Sequence, residues 1–227
     1  MRKTFISVAI DGPAGAGKST LAKSAAAELG YVYVDTGAIY RTIGYFVRSR
    51  GVDPADRESV KALLPEAQVE MSYGQDGLQH MLLNGEDVTE AIRLPEISAY
   101  ASAVSAHPVV RDFLMDMQRS MARTRNVVMD GRDIGTVVLP EADVKIFLTA
   151  APEVRAERRC RELAQRGTPE PYEQVLAEIQ KRDWNDTHRA AAPLRAAADA
   201  VTVDTSGLNF EESRQALLRV IRKKVGA

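Results

Sequence analysis

The sequence is poor in cysteine, in aromatic residues and in excess charge of either sign. One cysteine, Cys160, stands among its 227 residues, which excludes an internal disulfide framework and a cysteine-rich zinc site. Lys and Arg total 30 and Asp and Glu total 31, so the net charge of -1 lacks the basic excess of a sequence-independent nucleic-acid binder. An aromatic content of 6% also argues against base stacking on an RNA-binding surface.

Long apolar runs are missing as well. The run Phe5–Ile10 follows Arg2 and Lys3, but Asp11 ends it, which leaves it too short for a secretory signal. No stretch approaches the roughly 18–20 apolar residues that a membrane span needs. These absences, with a single cysteine, predict a cytoplasmic protein with neither a membrane nor a nucleic-acid partner. We expect a monomer.

Short runs rich in β-branched residues predict five buried strands. They are Phe5–Asp11, Tyr31–Asp35, Asn126–Asp130, Val144–Thr149 and Ala200–Asp204. Helical patterns between them predict an α/β fold with a parallel five-stranded core sheet. Four of the runs end in Asp, at the edge where parallel sheets bind ligands. A single Asp there commonly caps a turn, but the set of four favours a polar site for cations or hydroxyls.

Two gaps between the predicted strands are too long for simple crossovers. In the first, Val69–Tyr73 and Leu78–Asn84 flank the turn sequence Gly74-Gln75-Asp76-Gly77, which predicts a hairpin and a small antiparallel insert. The second gap opens with Arg155, Arg158, Arg159, Arg161 and Arg166 and turns at Gly167. Helices are predicted from Tyr172 to about Thr187 and, at the end of the chain, from Phe210 to about Lys224.

A phosphate-binding loop follows the first predicted strand. The motif G-x-x-x-x-G-K-[ST] is matched in full, and a helix-forming run, Thr20–Leu29, comes next. The loop and its first helical residue are Gly12, Pro13, Ala14, Gly15, Ala16, Gly17, Lys18, Ser19 and Thr20. Lys18 can reach the β- and γ-phosphates and the Ser19 hydroxyl can bind Mg²⁺. The motif predicts binding of a nucleoside triphosphate without naming the reaction.

Further charged residues favour a second anion site beside this loop. Tyr40 and Arg41 lie in the first turns of the helix after the second strand, although alone they read more simply as a half-buried Tyr and a solvated Arg. Asp130 ends the third strand, where a carboxylate suits a contact to Mg²⁺. Arg132 and Asp133 follow at the same edge of the sheet.

Arg182, Asp186 and Arg189 are spaced at i, i+4 and i+7, which predicts one shared helical face. Such a stripe is either a surface ion-pair ladder or part of a mobile arm that closes on phosphates and a ribose.

Taken in order, six segments resemble bacterial-type cytidylate kinases, which are P-loop nucleoside monophosphate kinases. The segments are Ile10–Thr20, Asp35–Arg41, Glu86–Arg93, Asp130–Val138, Val144–Phe147 and Arg182–Arg189. The resemblance implies a three-layer fold made of a core (1–35, 109–152 and 190–227), a monophosphate-binding insert (36–108) and a lid (153–189). It also implies the reaction ATP + CMP → ADP + CDP, with dCMP as a further substrate and Mg²⁺ as the cofactor.

The resemblance further implies a role for individual residues. The catalytic cations would be Lys18, Arg132, Arg158, Arg182 and Arg189. ATP would be held by residues 12–20, with Arg158 reaching it from the lid and Mg²⁺ at Ser19 and Asp130. The monophosphate substrate would be held by Thr36, Tyr40, Arg41, Ser102, Arg111, Arg132, Asp133, Arg182, Asp186 and Arg189. Among these, Ser102, Arg111 and Asp133 would contact cytosine, and Arg182 and Asp186 the ribose side.

Two other functions remain open from the residues alone. One is a small-molecule P-loop kinase acting on UMP, AMP or shikimate. The other is a nucleotide-dependent switch or regulatory ATP-binding module. The arginine-rich second site argues against a switch, because hydrolysis requires no pocket for a second phosphate.

Overall fold

A computed structural model of the chain describes residues 4–75, 77–165 and 167–226. Strands alternate with helices along most of this length. In chain order the elements are β1 (Ser7–Asp11), α1 (Lys18–Leu29), β2 (Val32–Asp35), α2 (Thr36–Ser49), α3 (Arg57–Leu63), β3 (Val69–Tyr73), β4 (Gln79–Leu83), β5 (Glu86–Asp87), α4 (Pro95–Ser105), α5 (Pro108–Thr124), β6 (Val127–Gly131), β7 (Val144–Thr149), α6 (Pro152–Gln165), α7 (Tyr172–His188), β8 (Val201–Asp204) and α8 (Phe210–Val225).

The predicted parallel sheet of five strands is confirmed, in the order β2-β6-β1-β7-β8. In the register, Ile10 lies opposite Asp130 on one side and Ile146 on the other. The strand ends differ from the prediction by one or two residues, and β6 continues to Gly131. Because the strands are parallel, their carboxyl ends, with Asp11 and Asp130, meet at one edge of the sheet.

Helices cover both faces of this sheet and give the three layers that were expected. Side chains alternate along β1, so Val8 and Ile10 pack with α1 and α8 while Ala9 packs with α2 and α5. These strand residues are fully buried, which is typical of a parallel sheet with helices on both faces. Packing on both faces fixes the position of the strands and of their carboxyl ends.

The predicted hairpin is also present, and its two strands belong to a three-stranded antiparallel sheet, β3-β4-β5. The short third strand, β5, was not predicted; Asp76 of the hairpin turn lies outside the described residues. The hairpin is joined to β2: the Tyr73 hydroxyl donates to the Tyr33 carbonyl at 2.9 Å. Gln79 exchanges two hydrogen bonds with the main chain of Asp35, at 2.8 and 3.1 Å. The insert therefore meets the carboxyl edge of the core sheet.

Helices α6 and α7 form a pair with a small core of its own. That core contains Ala156, Leu163, Val175 and Ile179. The predicted common helical face is wrong for Arg189, because α7 ends at His188 and Arg189 adopts an extended conformation. There the chain turns back toward β8, and the Leu194 amide donates to the Asp186 carbonyl at 2.8 Å. None of the helices in the described residues has the length and apolar character needed to cross a bilayer.

Candidate active site

The phosphate loop connects β1 to α1 and passes very close to β7. Gly12 has φ of 153°, and a Cβ placed on it would lie 1.9 Å from the Leu148 carbonyl oxygen. Only glycine fits where a backbone with positive φ meets another backbone at that distance. Helix α1 begins at Lys18, so its free N-terminal amides lie next to the loop. This combination is the structural basis for anion binding at a helix N-terminus.

Substitution Gly12→Ala is expected to lower the free energy of unfolding by about 3 kcal/mol or more, since backbone strain and a backbone clash add. Gly30→Ala is the matched control, because Gly30 also has positive φ (67°) but a Cβ there meets nothing within 4 Å. The Gly30→Ala variant should lose only about 1 kcal/mol of the free energy of unfolding. Urea unfolding of both variants measures the difference, and equal losses would contradict the close approach.

Lys18 is buried within the loop. Its ammonium group donates to the Pro13 carbonyl at 2.7 Å. Burial, and next the charge of Arg132, lower the pKa of Lys18 well below its ordinary value, while the charge of Asp130 acts in the opposite direction. A bound polyphosphate would favour the charged form, because opposite charges attract strongly in a site shielded from water.

Asp130 lies at the centre of the carboxyl edge. Its carboxylate accepts from the Ser19 hydroxyl at 2.9 Å and from the Tyr33 hydroxyl at 2.8 Å. The Thr36 hydroxyl donates to the Asp130 main-chain carbonyl at 2.7 Å. Burial, and next the negative charge of Asp35, raise the pKa of Asp130. A buried carboxylate with a second carboxylate nearby favours a cation beside it.

These oxygen atoms fit Mg²⁺, which prefers oxygen ligands and is usually held by one or two protein groups together with substrate phosphates. Ser19 and Asp130 supply a hydroxyl and a carboxylate next to the phosphate loop. Within the ranges that the structure describes, no cluster of three or more His, Cys, Asp or Glu side chains could hold a metal by itself. A metal at this edge would therefore need ligands from a bound nucleotide.

The four aspartates at the strand ends have different functions. Asp35 caps α2 by accepting from the Ala38 amide at 3.0 Å. Asp204 accepts from the amide and the hydroxyl of Ser206, at 2.9 and 2.6 Å, and so closes a turn. Asp11 accepts from two amides of the π-helical turn Ile134–Val138. The prediction of four carboxylates in one cation site is therefore wrong for Asp204, since turn formation satisfies it.

Asp11 gives the protein a defined pH dependence. Burial, opposed by the Gly135 and Ile134 amides, raises the pKa of the Asp11 carboxyl from 3.8 to about 6. Between these values the folded chain binds more protons than the unfolded chain, so the free energy of unfolding falls as the pH rises from about 4 to 6. A shift of this size corresponds to up to about 3 kcal/mol.

The substitution Asp11→Asn should remove this contribution to the slope of stability against pH. Urea unfolding at several pH values between 4 and 7 measures the slope in both proteins. Other carboxylates contribute equally to the slope in both proteins, so the difference between the two slopes gives the contribution of Asp11. Identical slopes would contradict the assignment.

A group of arginines and aspartates lies where the turn after β6 meets α7. The Arg132 Nε donates to Asp186 Oδ2 at 2.7 Å, which joins the turn after β6 to α7. Although burial opposes it, the charge of Arg132 holds the pKa of Asp186 below its ordinary value. The Arg182 guanidinium makes no side-chain hydrogen bond or ion pair with any described residue, although its backbone is part of α7. Burial, and next the charge of Arg132, lower the pKa of Arg182 to about 10. An unpaired guanidinium among other cations is suited to an anionic ligand.

Asp133 is enclosed by two arginines. It forms a buried ion pair with Arg111 of α5, and Arg189 lies 3.4 Å from its other carboxylate oxygen. The Arg111 guanidinium lies over the Tyr40 ring, 5.4 Å from the centroid. The Tyr40 hydroxyl is buried and has no hydrogen-bond partner in the described part of the chain. A buried polar atom without a partner is costly, and at a site it marks a position for a ligand or water.

Most of the predicted site residues lie in this one region, and the contacts of three others, Arg41, Ser102 and Arg158, are local or reach elsewhere. Arg41 lies at its edge, 3.9 Å from Asp35. Ser102 accepts a hydrogen bond from Ser105 through its main-chain oxygen, and Arg111 donates to the Ser105 carbonyl instead. Arg158 donates to the loop after β8, at the Thr205 carbonyl (2.7 Å) and hydroxyl (3.2 Å). The ligand-binding and catalytic roles expected for all of the predicted site residues stay predictions.

Two residues of this region were missed by sequence reasoning. Arg155 of α6 donates to the Ala14 carbonyl of the phosphate loop at 2.8 Å and to Asp183 of α7 at 2.6 Å. The sequence offered one signal, the position of Arg155 in the first turn of the helix after β7, at the ligand-binding edge. Three more arginines, Arg158, Arg159 and Arg161, follow it on the same helix, so the sequence alone did not distinguish Arg155 from them.

Comparison with known proteins gives a consistent result. The family described as cytidylate kinase matches residues 8–223. A cytidylate kinase from Caldicellulosiruptor bescii is 50% identical over 220 residues, covering 97% of both chains. One from Carboxydothermus hydrogenoformans is 49% identical and covers 96% of this chain and 97% of its own. One from Geobacillus kaustophilus is 46% identical over 99% of this chain and 100% of its own. With a phosphate loop, a buried Asp130 beside Ser19 and an arginine cluster at the same edge of a parallel sheet, this chain belongs to the cytidylate kinase family.

Proposed function

We propose that this chain transfers the γ-phosphoryl group of ATP to CMP, and to dCMP, forming CDP and dCDP. The observation that carries the proposal is the presence of two cationic groups in one region. Lys18 belongs to the phosphate loop, and the charges of Arg132 and Arg182 lower its pKa, which indicates that they share one region with it. A hydrolase or switch needs the first group alone, whereas a kinase with a phosphorylated acceptor needs both. Relatives named cytidylate kinase support the same acceptor.

Transfer would be direct and in line, with no covalent enzyme intermediate. Catalysis then consists of holding the two phosphates in position and neutralising charge. Lys18 and the N-terminal amides of α1 would bind the ATP phosphates, and Arg132, Arg182 and Arg189 would bind the acceptor and the transferred group. Ser19 and Asp130 would hold Mg²⁺, which supplies positive charge at the ATP phosphates when bound.

The proposed substrate pocket places the acceptor between the insert and α7. Thr36, Tyr40 and Arg41 would hold its phosphate, and Arg111 and Asp133 its base. Residues 36–108 and 153–189 would move as an insert and a lid around the core. Closure of charged segments over two nucleotides excludes water and protects ATP from hydrolysis. We propose that the enzyme acts as a cytoplasmic monomer, with small molecules as its substrates.

An ADP-release assay with Mg-ATP tests this function. The acceptors are CMP, dCMP, UMP, AMP, shikimate and water. CMP is expected to give the highest kcat/KM, with dCMP next and water at background. ATP made chiral at the γ-phosphorus with the three oxygen isotopes ¹⁶O, ¹⁷O and ¹⁸O should give inversion, as a single displacement requires. ADP release that is equally fast without an acceptor would favour a switch, and a preference for UMP or shikimate would overturn the substrate assignment.

A further inference from the structure

Arg155 joins three separate parts of the structure through one buried guanidinium. Its Nε donates to the Ala150 carbonyl at the end of β7, at 2.8 Å. One terminal nitrogen donates to the Ala14 carbonyl in the phosphate loop at 2.8 Å, and the other to Asp183 Oδ2 in α7 at 2.6 Å. The residue is only 3% exposed. Such a buried, fully oriented fork holds the relative positions of its acceptors.

The contact with Ala14 determines how the next amide points. A trans peptide is planar, and its carbonyl and amide point in opposite directions. When Arg155 holds the Ala14 carbonyl on the α6 side, the Gly15 amide must point away from α6. The neighbouring peptide is held in the same way, because Lys18 donates to the Pro13 carbonyl at 2.7 Å. Two consecutive peptides of the loop are therefore held by side-chain hydrogen bonds to their carbonyl groups.

Asp183 connects this arrangement to α7. One of its carboxylate oxygens accepts from Arg155, and the other is buried without a partner among the described residues. Residue 15 lies beside the same arginine, since a Cβ on Gly15 would be in ordinary van der Waals contact with the Arg155 Cβ, at 3.4 Å. If the part of α7 that carries Asp183 moved away from the start of α6, Arg155 would lose its charged partner and keep the carbonyls of Ala14 and Ala150. The orientation of the phosphate loop thus depends on the docking of α7.

We propose that Arg155 is a positioning residue that orients the Gly15 amide for the ATP phosphates, and that Asp183 makes this orientation depend on the docking of α7. The choice of ATP as ligand rests on the proposed function. A correctly oriented amide binds phosphate without paying to reorganise, so ATP affinity falls when Arg155 is lost. Since ATP binding and α7 docking are linked, each stabilises the other.

The test is calorimetric titration of the full chain with Mg-ATP, without an acceptor, together with KM for CMP. Arg155→Gln is expected to raise the ATP dissociation constant about tenfold, the loss of one charge-assisted hydrogen bond. KM for CMP should change less than twofold. Arg155→Lys should restore part of the affinity, because a point charge reaches fewer acceptors than the guanidinium fork. The matched control is Arg159→Gln on the same helix, whose ion pair with Glu162 is solvent-exposed and which should bind ATP normally.

Asp183→Asn keeps the arginine in place and remains informative even if Arg155→Gln fails to fold. It should raise the ATP dissociation constant about threefold in the otherwise unchanged chain. The same substitution should have no added effect in the Arg155→Lys background. The proposal is overturned if folded Arg155 variants bind ATP normally, if ATP and CMP parameters change equally, or if the two substitutions are additive. Because ATP binding is measured without an acceptor, a wrong acceptor assignment would leave this test intact.

Discussion

Replacement of Lys18 by Ala is expected to lower kcat by about 10³ or more, which corresponds to a loss of about 4 kcal/mol of transition-state stabilisation. Lys18 is buried, and its charge lies in a group with Arg132 and Arg182. In phosphoryl transfer the developing charge on the phosphate oxygens is stabilised by such fixed cations. Because Lys18 acts mainly on charge that develops in the transition state, the affinity for ATP should fall less than kcat.

The matched control is Lys23→Ala. Lys23 lies on the same helix, but its side chain is exposed. We expect kcat within a factor of two of the unchanged chain. The ADP-release assay at saturating Mg-ATP and CMP measures both variants, with circular dichroism and thermal unfolding to check their folding. Near-normal kcat in a folded Lys18→Ala protein would refute the role of this lysine in transfer.

The second large effect concerns base selectivity at Asp133. Cytosine carries an amino donor where uracil carries a carbonyl acceptor, and an ionised carboxylate only accepts hydrogen bonds. Asp133 lies at the ligand edge of the sheet between Arg111 and Arg189. If it contacts the base, a uracil carbonyl leaves two acceptors facing each other, at a cost of roughly 1–3 kcal/mol. Loss of the carboxylate should therefore reduce the CMP/UMP ratio of kcat/KM about tenfold or more.

The choice of substitution follows from the buried ion pair. Asp133→Ala would leave two arginines without their partner, which costs about 3–5 kcal/mol of stability. It should therefore lower the thermal midpoint as well as selectivity. Asp133→Asn keeps the shape and one acceptor oxygen, so it disturbs the packing less than Asp133→Ala, and its thermal midpoint shows how much of the effect is on folding. Asp116→Asn serves as the control, since Asp116 is on α5 with an exposed ion pair to Arg123.

The measurement is kcat/KM for CMP and UMP in each variant. A drop confined to CMP, or a gain with UMP, is the expected result for Asp133→Asn. The opposing explanation is that Asp133 only positions Arg111 and Arg189. In that case both substrates would suffer to the same degree, and an unchanged ratio would exclude the base contact.

Local patterns in the sequence determined the sheet and the phosphate loop. Strand β1 is buried on both faces, and its sequence is therefore a short, mostly apolar run directly before the loop motif. The loop motif has a fixed spacing within eight consecutive residues, so it can be recognised from the sequence, although Gly12 is required by its close approach to Leu148 of β7. The hairpin was predictable for the same reason, since its turn and its alternating strands are neighbours in sequence. Even there, β5 was missed, because two exposed residues carry no pattern.

Only the tertiary structure decided what the charged residues do. Four of the predicted strands end in Asp, yet one of these residues caps a helix, one closes a turn, one holds the π-helical turn and one accepts from Ser19. The arginines of α6 look alike in sequence, but Arg155 contacts the phosphate loop and Arg158 the loop after β8. An arginine side chain is long and can reach partners in distant segments, as Arg155 reaches Ala14 and Arg158 reaches Thr205. Its role is therefore fixed by packing between distant segments, which no local pattern encodes.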